Sequence, residues 1–200
     1  GIIHQEMPKG NQTGRMHGFQ LWANLPAALK MTAPRYQEIK SADIPEVIED
    51  DGTKARIVCG KFWGAKGPVE GIAADPVYID IFVPAGRRKT LAVETKSHAF
   101  AYVFDGSGKF CNASEPLAVP TESVGWLDTN PPTEADNRSL VLFDTGDEVT
   151  VQAGDEGVRF LLVSGRPLQE PVAWYGPIVM NTQQQLREAF DELQRGTFLK

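Results

Sequence analysis

His4 and Glu6 stand two residues apart in the opening stretch Gly1-Ile2-Ile3-His4-Gln5-Glu6-Met7-Pro8. In an extended strand, side chains at i and i+2 point to the same face. An imidazole nitrogen and a carboxylate oxygen placed in this way can reach one metal ion. The pairing of a neutral imidazole with a hard carboxylate suits iron, manganese or zinc. The competing reading is a surface strand carrying two polar residues. The apolar pair Ile2-Ile3 predicts a strand buried on at least one face, which leans toward the metal.

The elements that must position this pair can be read further along the chain. After a polar, glycine-bearing loop at Lys9 to Arg15, the stretch from His17 to Pro26 alternates. Phe19, Leu21 and Ala23 fall on one face and Gln20, Trp22 and Asn24 on the other, which predicts a strand. Pro26 closes it, because proline cannot donate to a ladder. A short turn or helix over Ala27 to Met31 leads to Pro34. The stretch Ser41 to Glu46 reads as a joint between two bodies.

Short strands follow, with turn signals between them. They are expected at Ala55 to Gly60, Val77 to Val83, Thr90 to Glu94, Ala99 to Phe104, Ser139 to Phe143, Glu148 to Gln152 and Val158 to Val163. Phe62 to Ala73 reads as a glycine-rich loop and Pro120 to Asn137 as a long surface connection. Asp105-Gly106 is a hairpin-turn signal, and Ala153 to Gly157 reads as another turn. Many short strands separated by glycine turns predict an antiparallel sandwich or barrel, hence an all-β fold. One helix is expected, Gln183 to Gln194, capped by Asn181 or Thr182 and ended by Gly196. Leu186, Phe190 and Leu193 form its apolar stripe, with Ala189 beside it.

Composition narrows the function classes. The 200 residues suffice for one large domain or two small ones. An apolar content of 42% is globular. No window approaches the roughly 20 apolar residues that a membrane helix needs. The net charge of −6 argues against a broad phosphate-binding surface and direct nucleic-acid binding. Arg87-Arg88-Lys89 reads as a solvated hairpin tip, and Glu46, Glu49, Asp50 and Asp51 as a solvated acidic loop. Cys59 and Cys111 match no zinc or redox spacing and read as reduced thiols of a cytoplasmic or nuclear protein. The chain opens inside an apparent strand, without Met or a secretory signal pattern, so N-terminal residues are expected to be missing.

Four motifs, in order, resemble the pirin family. They are Gly1 to Pro8, Gly18 to Pro26 (Gly-Phe-Gln-Leu-Trp-Ala-Asn-Leu-Pro), Pro34-Arg35-Tyr36-Gln37, and a tail. The tail comprises Leu161 to Val172 and Tyr175-Gly176-Pro177-Ile178-Val179-Met180-Asn181-Thr182. The resemblance implies two cupin barrels packed face to face (a bicupin). Residues 1–40 would be the last strands of the N-terminal, metal-binding barrel, 41–180 the C-terminal barrel, and 181–200 the closing helix. It also implies a metal held by three histidines and a glutamate, with His4 and Glu6 as the last two ligands. The first two come from a His-Pro-His-Arg segment that this sequence lacks; its other histidines, His17 and His98, have no such setting. The chain is therefore expected to be the C-terminal two thirds of a pirin, and two ligands alone hold a metal weakly.

The implied activity is that of a quercetin 2,3-dioxygenase. Fe(II), or else Mn, Zn, Cu, Ni or Co, would act with O2 on a flavonol. Glu6 would be both metal ligand and base for the flavonol hydroxyl, and Phe19, Leu21 and Trp22 would line an apolar pocket. Barrel core is the other reading of those three side chains. Two further readings stay open. One is an iron- or redox-dependent protein partner of a transcription factor, without turnover; the other is a structural cupin whose metal site is lost.

Overall fold

The computed structural model describes residues 2–7, 9–111, 117–118 and 134–199. It forms two compact units, one of Gly1–Tyr36 with Leu168–Lys200 and one of Gln37–Pro167.

The second unit is a β barrel. Its strands are β1 (Glu46–Ile48), β2 (Lys54–Cys59), β3 (Lys61–Phe62), β4 (Ala65–Lys66), β5 (Val77–Val83), β6 (Arg88–Ala92) and β7 (His98–Cys111). Then come β8 (Leu117–Ala118), β9 (Ala135–Asp136), β10 (Ser139–Leu142) and β11 (Glu148–Gly165). Nine of these strands make one sheet in the order β1-β2-β5-β11-β7-β10-β8, with β6 also on β11 and β9 on β7. All the ladders in this sheet are antiparallel.

Strand alternation predicts these elements well, because one face of each is core. In β5, Ile79, Ile81 and Val83 are fully buried, whereas Tyr78, Asp80 and Phe82 are half-buried. Phe160 lies at the centre of the core, edge-on to Phe110 with ring centroids 5.1 Å apart. Burying one such side chain contributes about 1.5–3 kcal/mol.

Two turn signals in the sequence are not turns. Asp105-Gly106 lies inside the 14-residue β7, and Ala153 to Gly157 lies inside the 18-residue β11. The two strands run side by side, and their register slips between Ala153 and Val158, where Gly108 and Gly106 oppose them. Opposed irregularities let both strands bend together, so one long pair serves both walls of the barrel. Gly106 has φ +66°, and a Cβ there would lie 2.1 Å from the Gly157 carbonyl oxygen. The glycines mark a corner of the barrel rather than the end of a hairpin. The expected loop after Phe62 begins with the small β3–β4 hairpin. The expected connection over residues 120–137 falls mostly outside the described residues.

The first unit holds a short hairpin, β12 (Ala173–Tyr175) with β13 (Ile178–Met180), and helix α1 (Gln183–Arg195). The Thr182 hydroxyl accepts from the Gln185 N–H at 3.2 Å, and the Gln185 side chain accepts from the Thr182 N–H at 3.1 Å, a reciprocal cap. Gly196 ends the helix at φ 71°. Leu186 and Ala189 are buried, and Phe190 packs beside them, but Leu193 is 38% exposed. The expected stripe thus covers the core only along its first two turns.

No strand forms between residues 2 and 40 among the described residues. Ile2 and Ile3, expected to be buried, are 57% and 63% exposed, and the His17 to Pro26 stretch pairs with no strand. Alternation makes a strand only where a neighbouring strand supplies the ladder and a second layer covers the apolar face. Among the described residues, no partner strand does so for this stretch.

Candidate functional site

His4 and Glu6 meet. His4 Nε2 lies 3.7 Å from Glu6 Oε1, and both side chains are well exposed to solvent. Gln20 Nε2 donates to the same Glu6 oxygen at 3.4 Å, which ties the opening segment to the alternating stretch behind it. His17 packs against Phe19, the rings tilted by 59° with centroids 5.2 Å apart. Two donors at this separation suit one ion. Among the described residues, however, no group of three or more histidine, cysteine, aspartate or glutamate side chains gathers that could complete a metal site. Cys59 is buried in the second unit and Cys111 half-buried, both as free thiols.

The three expected pocket residues separate. Trp22 lines a groove of about 720 Å³ inside the first unit, together with Ile2, Leu25, Met31, Trp174 and Ile178. Phe19 and Leu21 do not line it; they are 40% and 47% exposed. The groove also holds residues that the sequence did not mark. Lys30 Nζ donates to Asn24 Oδ1 at 2.7 Å. Burial pushes the Lys30 pKa down, partly offset by the Glu170 carboxylate. Glu170 Oε2 accepts from the Ala27 N–H at 2.7 Å and from Asn181 Nδ2 at 3.0 Å, joining the tail of the unit to its head. Asn24, Glu170 and Asn181 all lie within the motifs quoted above, but period-based reasoning gives them no role because the stretch around Glu170 has no period.

Comparison with known proteins places the chain. Residues 78–199 match the Pirin C-terminal cupin domain. A pirin-like protein of Caulobacter vibrioides is 40% identical over 199 residues, which span 99% of this chain and 64% of that protein. A Thermoplasma acidophilum protein named "Putative quercetin 2,3-dioxygenase Ta0133" is 33% identical over 217 residues, which span 100% of this chain and 76% of that one. Among solved structures, a quercetin 2,3-dioxygenase from Acinetobacter baumannii superposes with a TM-score of 0.72 at 28% identity. That match covers 88% of this chain and 55% of the enzyme, so the chain spans little more than half its length.

Proposed function

The chain belongs to the pirin family, and from that premise we propose that it supplies part of the centre of a metal-dependent dioxygenase. The substrate in this reading is a quercetin-like flavonol, with O2 as co-substrate. One observation carries the reading: His4 and Glu6 stand together, 3.7 Å apart. The likeness to a quercetin 2,3-dioxygenase over most of the chain supports it. Residues 1–40 would then belong to a first, metal-binding cupin barrel, 41–180 to a second barrel and 181–200 to a closing helix.

The residues present fit a metal only in part. Iron in such centres is held by three or four protein donors, and two are at hand. The others would come from polypeptide outside this chain, so no catalytic step is derived through the ion. Once held, iron or another divalent metal would supply Lewis acidity and a path for electrons. Glu6 is assigned a second role as base, its carboxylate taking the proton of the flavonol hydroxyl. The Gln20 contact would hold that carboxylate in place. Of the three expected pocket residues, Trp22 lines the groove of the first unit and would offer a flavonol ring an apolar face there, whereas Phe19 and Leu21 stand exposed outside it. No helix among the described residues is long and apolar enough to cross a membrane. We place the reaction in the cytoplasm.

The test is loss of quercetin absorbance in air with Fe(II), using the chain extended upstream to its relatives' length. Turnover is expected, and Glu6→Gln should lower kcat by about 100-fold or more. Unchanged turnover in Glu6→Gln would remove Glu6 as the base. No turnover in the extended protein would favour the protein-binding reading instead. Elemental analysis of the present chain alone should find far less than one metal per chain.

A further inference from the structure

The barrel of the second unit has an opening of its own. A cavity of about 610 Å³ enters between the β3–β4 hairpin and the loop of residues 69–76. Ile79, at 0% exposure, and Leu162, at 2%, line it, so its floor is the barrel core. Phe62 and Val93 form apolar walls. This volume is typical of small-molecule sites, and barrel mouths commonly hold them.

Two observations set this mouth apart from an ordinary surface dent. The first is its frame. Non-glycine residues with left-handed backbone occur in both bounding segments: Trp63 at φ 43°, Ala74 at 69° and Asp75 at 49°. Trp63 with Gly64 makes the two-residue turn of the β3–β4 hairpin, where both φ angles are positive, and a backbone bond fixes Ala74. Arg166 N–H donates to the Ala74 carbonyl at 2.8 Å, and the Cys59 thiol donates to the Val69 carbonyl at 3.4 Å. Strain maintained around a cavity is a feature of ligand clamps.

The second observation is the charge inventory. Lys66 pairs with Glu70, and Asp75 lies 3.6 Å from Arg166. Two lining charges remain without an ion pair among the described residues, Lys61 and Glu94. They are of opposite sign, and they stand over an apolar floor. We infer that this mouth binds a small zwitterion with an apolar side chain, of the free amino acid type. Lys61 faces the carboxylate, Glu94 faces the ammonium, and the side chain lies on Ile79 and Leu162. All its lining residues belong to the second unit, whereas His4 and Glu6 belong to the first.

Methyl-resolved NMR titration of the present chain tests the inference. The probes are L-phenylalanine, 3-phenylpropionate, which lacks the amine, and phenethylamine, which lacks the carboxylate. Saturable shifts at Ile79, Val93 and Leu162 are expected with phenylalanine, and at least about tenfold weaker binding with each fragment. Lys61→Glu and Glu94→Lys are exposed changes that leave the core intact. Each should weaken phenylalanine about tenfold, and the double swap should recover part of the loss, because the ligand can turn round. No saturable shift with phenylalanine would overturn the inference. So would equal affinity for either fragment, or affinity unmoved by both charge changes.

Discussion

Lys89 shows how far a side chain's role can depart from its look in the sequence. Within Arg87-Arg88-Lys89 it reads as one of three solvated bases. In β6 it shares the inward face with the fully buried Leu91, and its own side chain is only 14% exposed. Its ammonium pairs with Glu49 and with Asp51, the latter at 2.8 Å, and lies 5.2 Å from the centroid of the Trp63 ring. Two members of the supposedly solvated acidic loop are therefore its partners. The period of two already held the clue, since Lys89 and Leu91 have the same parity; the partners, some forty residues away, did not show. Burial alone would push Lys89 down, but the two carboxylates hold it above the usual lysine range. The Lys89 hydrogen bond, helped by the Thr53 N–H, lowers Asp51 from 3.8 to about 2. A depressed carboxylate stabilises the fold above its unfolded pKa, and that contribution is lost as pH falls through the folded value. The unfolding temperature should therefore drop between pH 4 and pH 2. In Asp51→Asn the acid limb should be flatter and the midpoint at pH 7 lower, as thermal melts followed by circular dichroism would show.

At the scale of elements, two glycine-rich signals were legible but misassigned, and the cause is general. Asp-Gly marks a backbone that needs φ > 0, and a barrel corner asks for the same thing as a hairpin tip. Only the pairing of β7 with β11 on both sides of the signal distinguishes them. A pair of substitutions separates the two demands. Gly86 and Gly106 have nearly the same φ, +64° and +66°, but a Cβ at Gly86 meets nothing within 4 Å. Gly86→Ala should cost about 1 kcal/mol, for backbone strain alone. Gly106→Ala must also push the Gly157 carbonyl aside, and should cost at least about 3 kcal/mol in urea unfolding. The helix was read correctly to within one residue at its end, because its signals are local: a threonine cap, a glutamine three residues on, and a terminal glycine. Thr182→Ala should remove about 1 kcal/mol from the unit that contains α1. The stretch from His17 to Pro26 failed for the opposite reason. Its alternation was plain, but a strand also needs a partner, and a sequence does not say whether the partner is present.

For the whole molecule, the two units differ greatly in how much they bury. Four buried residues, Ala173, Ile178, Leu186 and Ala189, make the core of the first. That of the second runs from Ala55 to Leu162 through eight of its strands. Native-state hydrogen exchange should therefore find amides of β5, β7 and β11 the slowest and those of β12, β13 and α1 much faster. Extending the chain upstream should raise the protection of the first unit and leave the second unchanged. Equal unfolding midpoints with and without the extension would count against that. Strand order has a further consequence, for synthesis. β11 lies between β5 and β7 in the sheet, yet it is the last strand of its unit to leave the ribosome. Until Glu148 emerges, the nascent barrel is two separate pieces, β1-β2-β5 on one side and β7 with β10 on the other. Each would present a naked strand edge to its surroundings for as long as translation takes to reach Gly165. Nascent chains stalled just before and just after that point should differ abruptly in protease resistance, and chaperones should bind the shorter one.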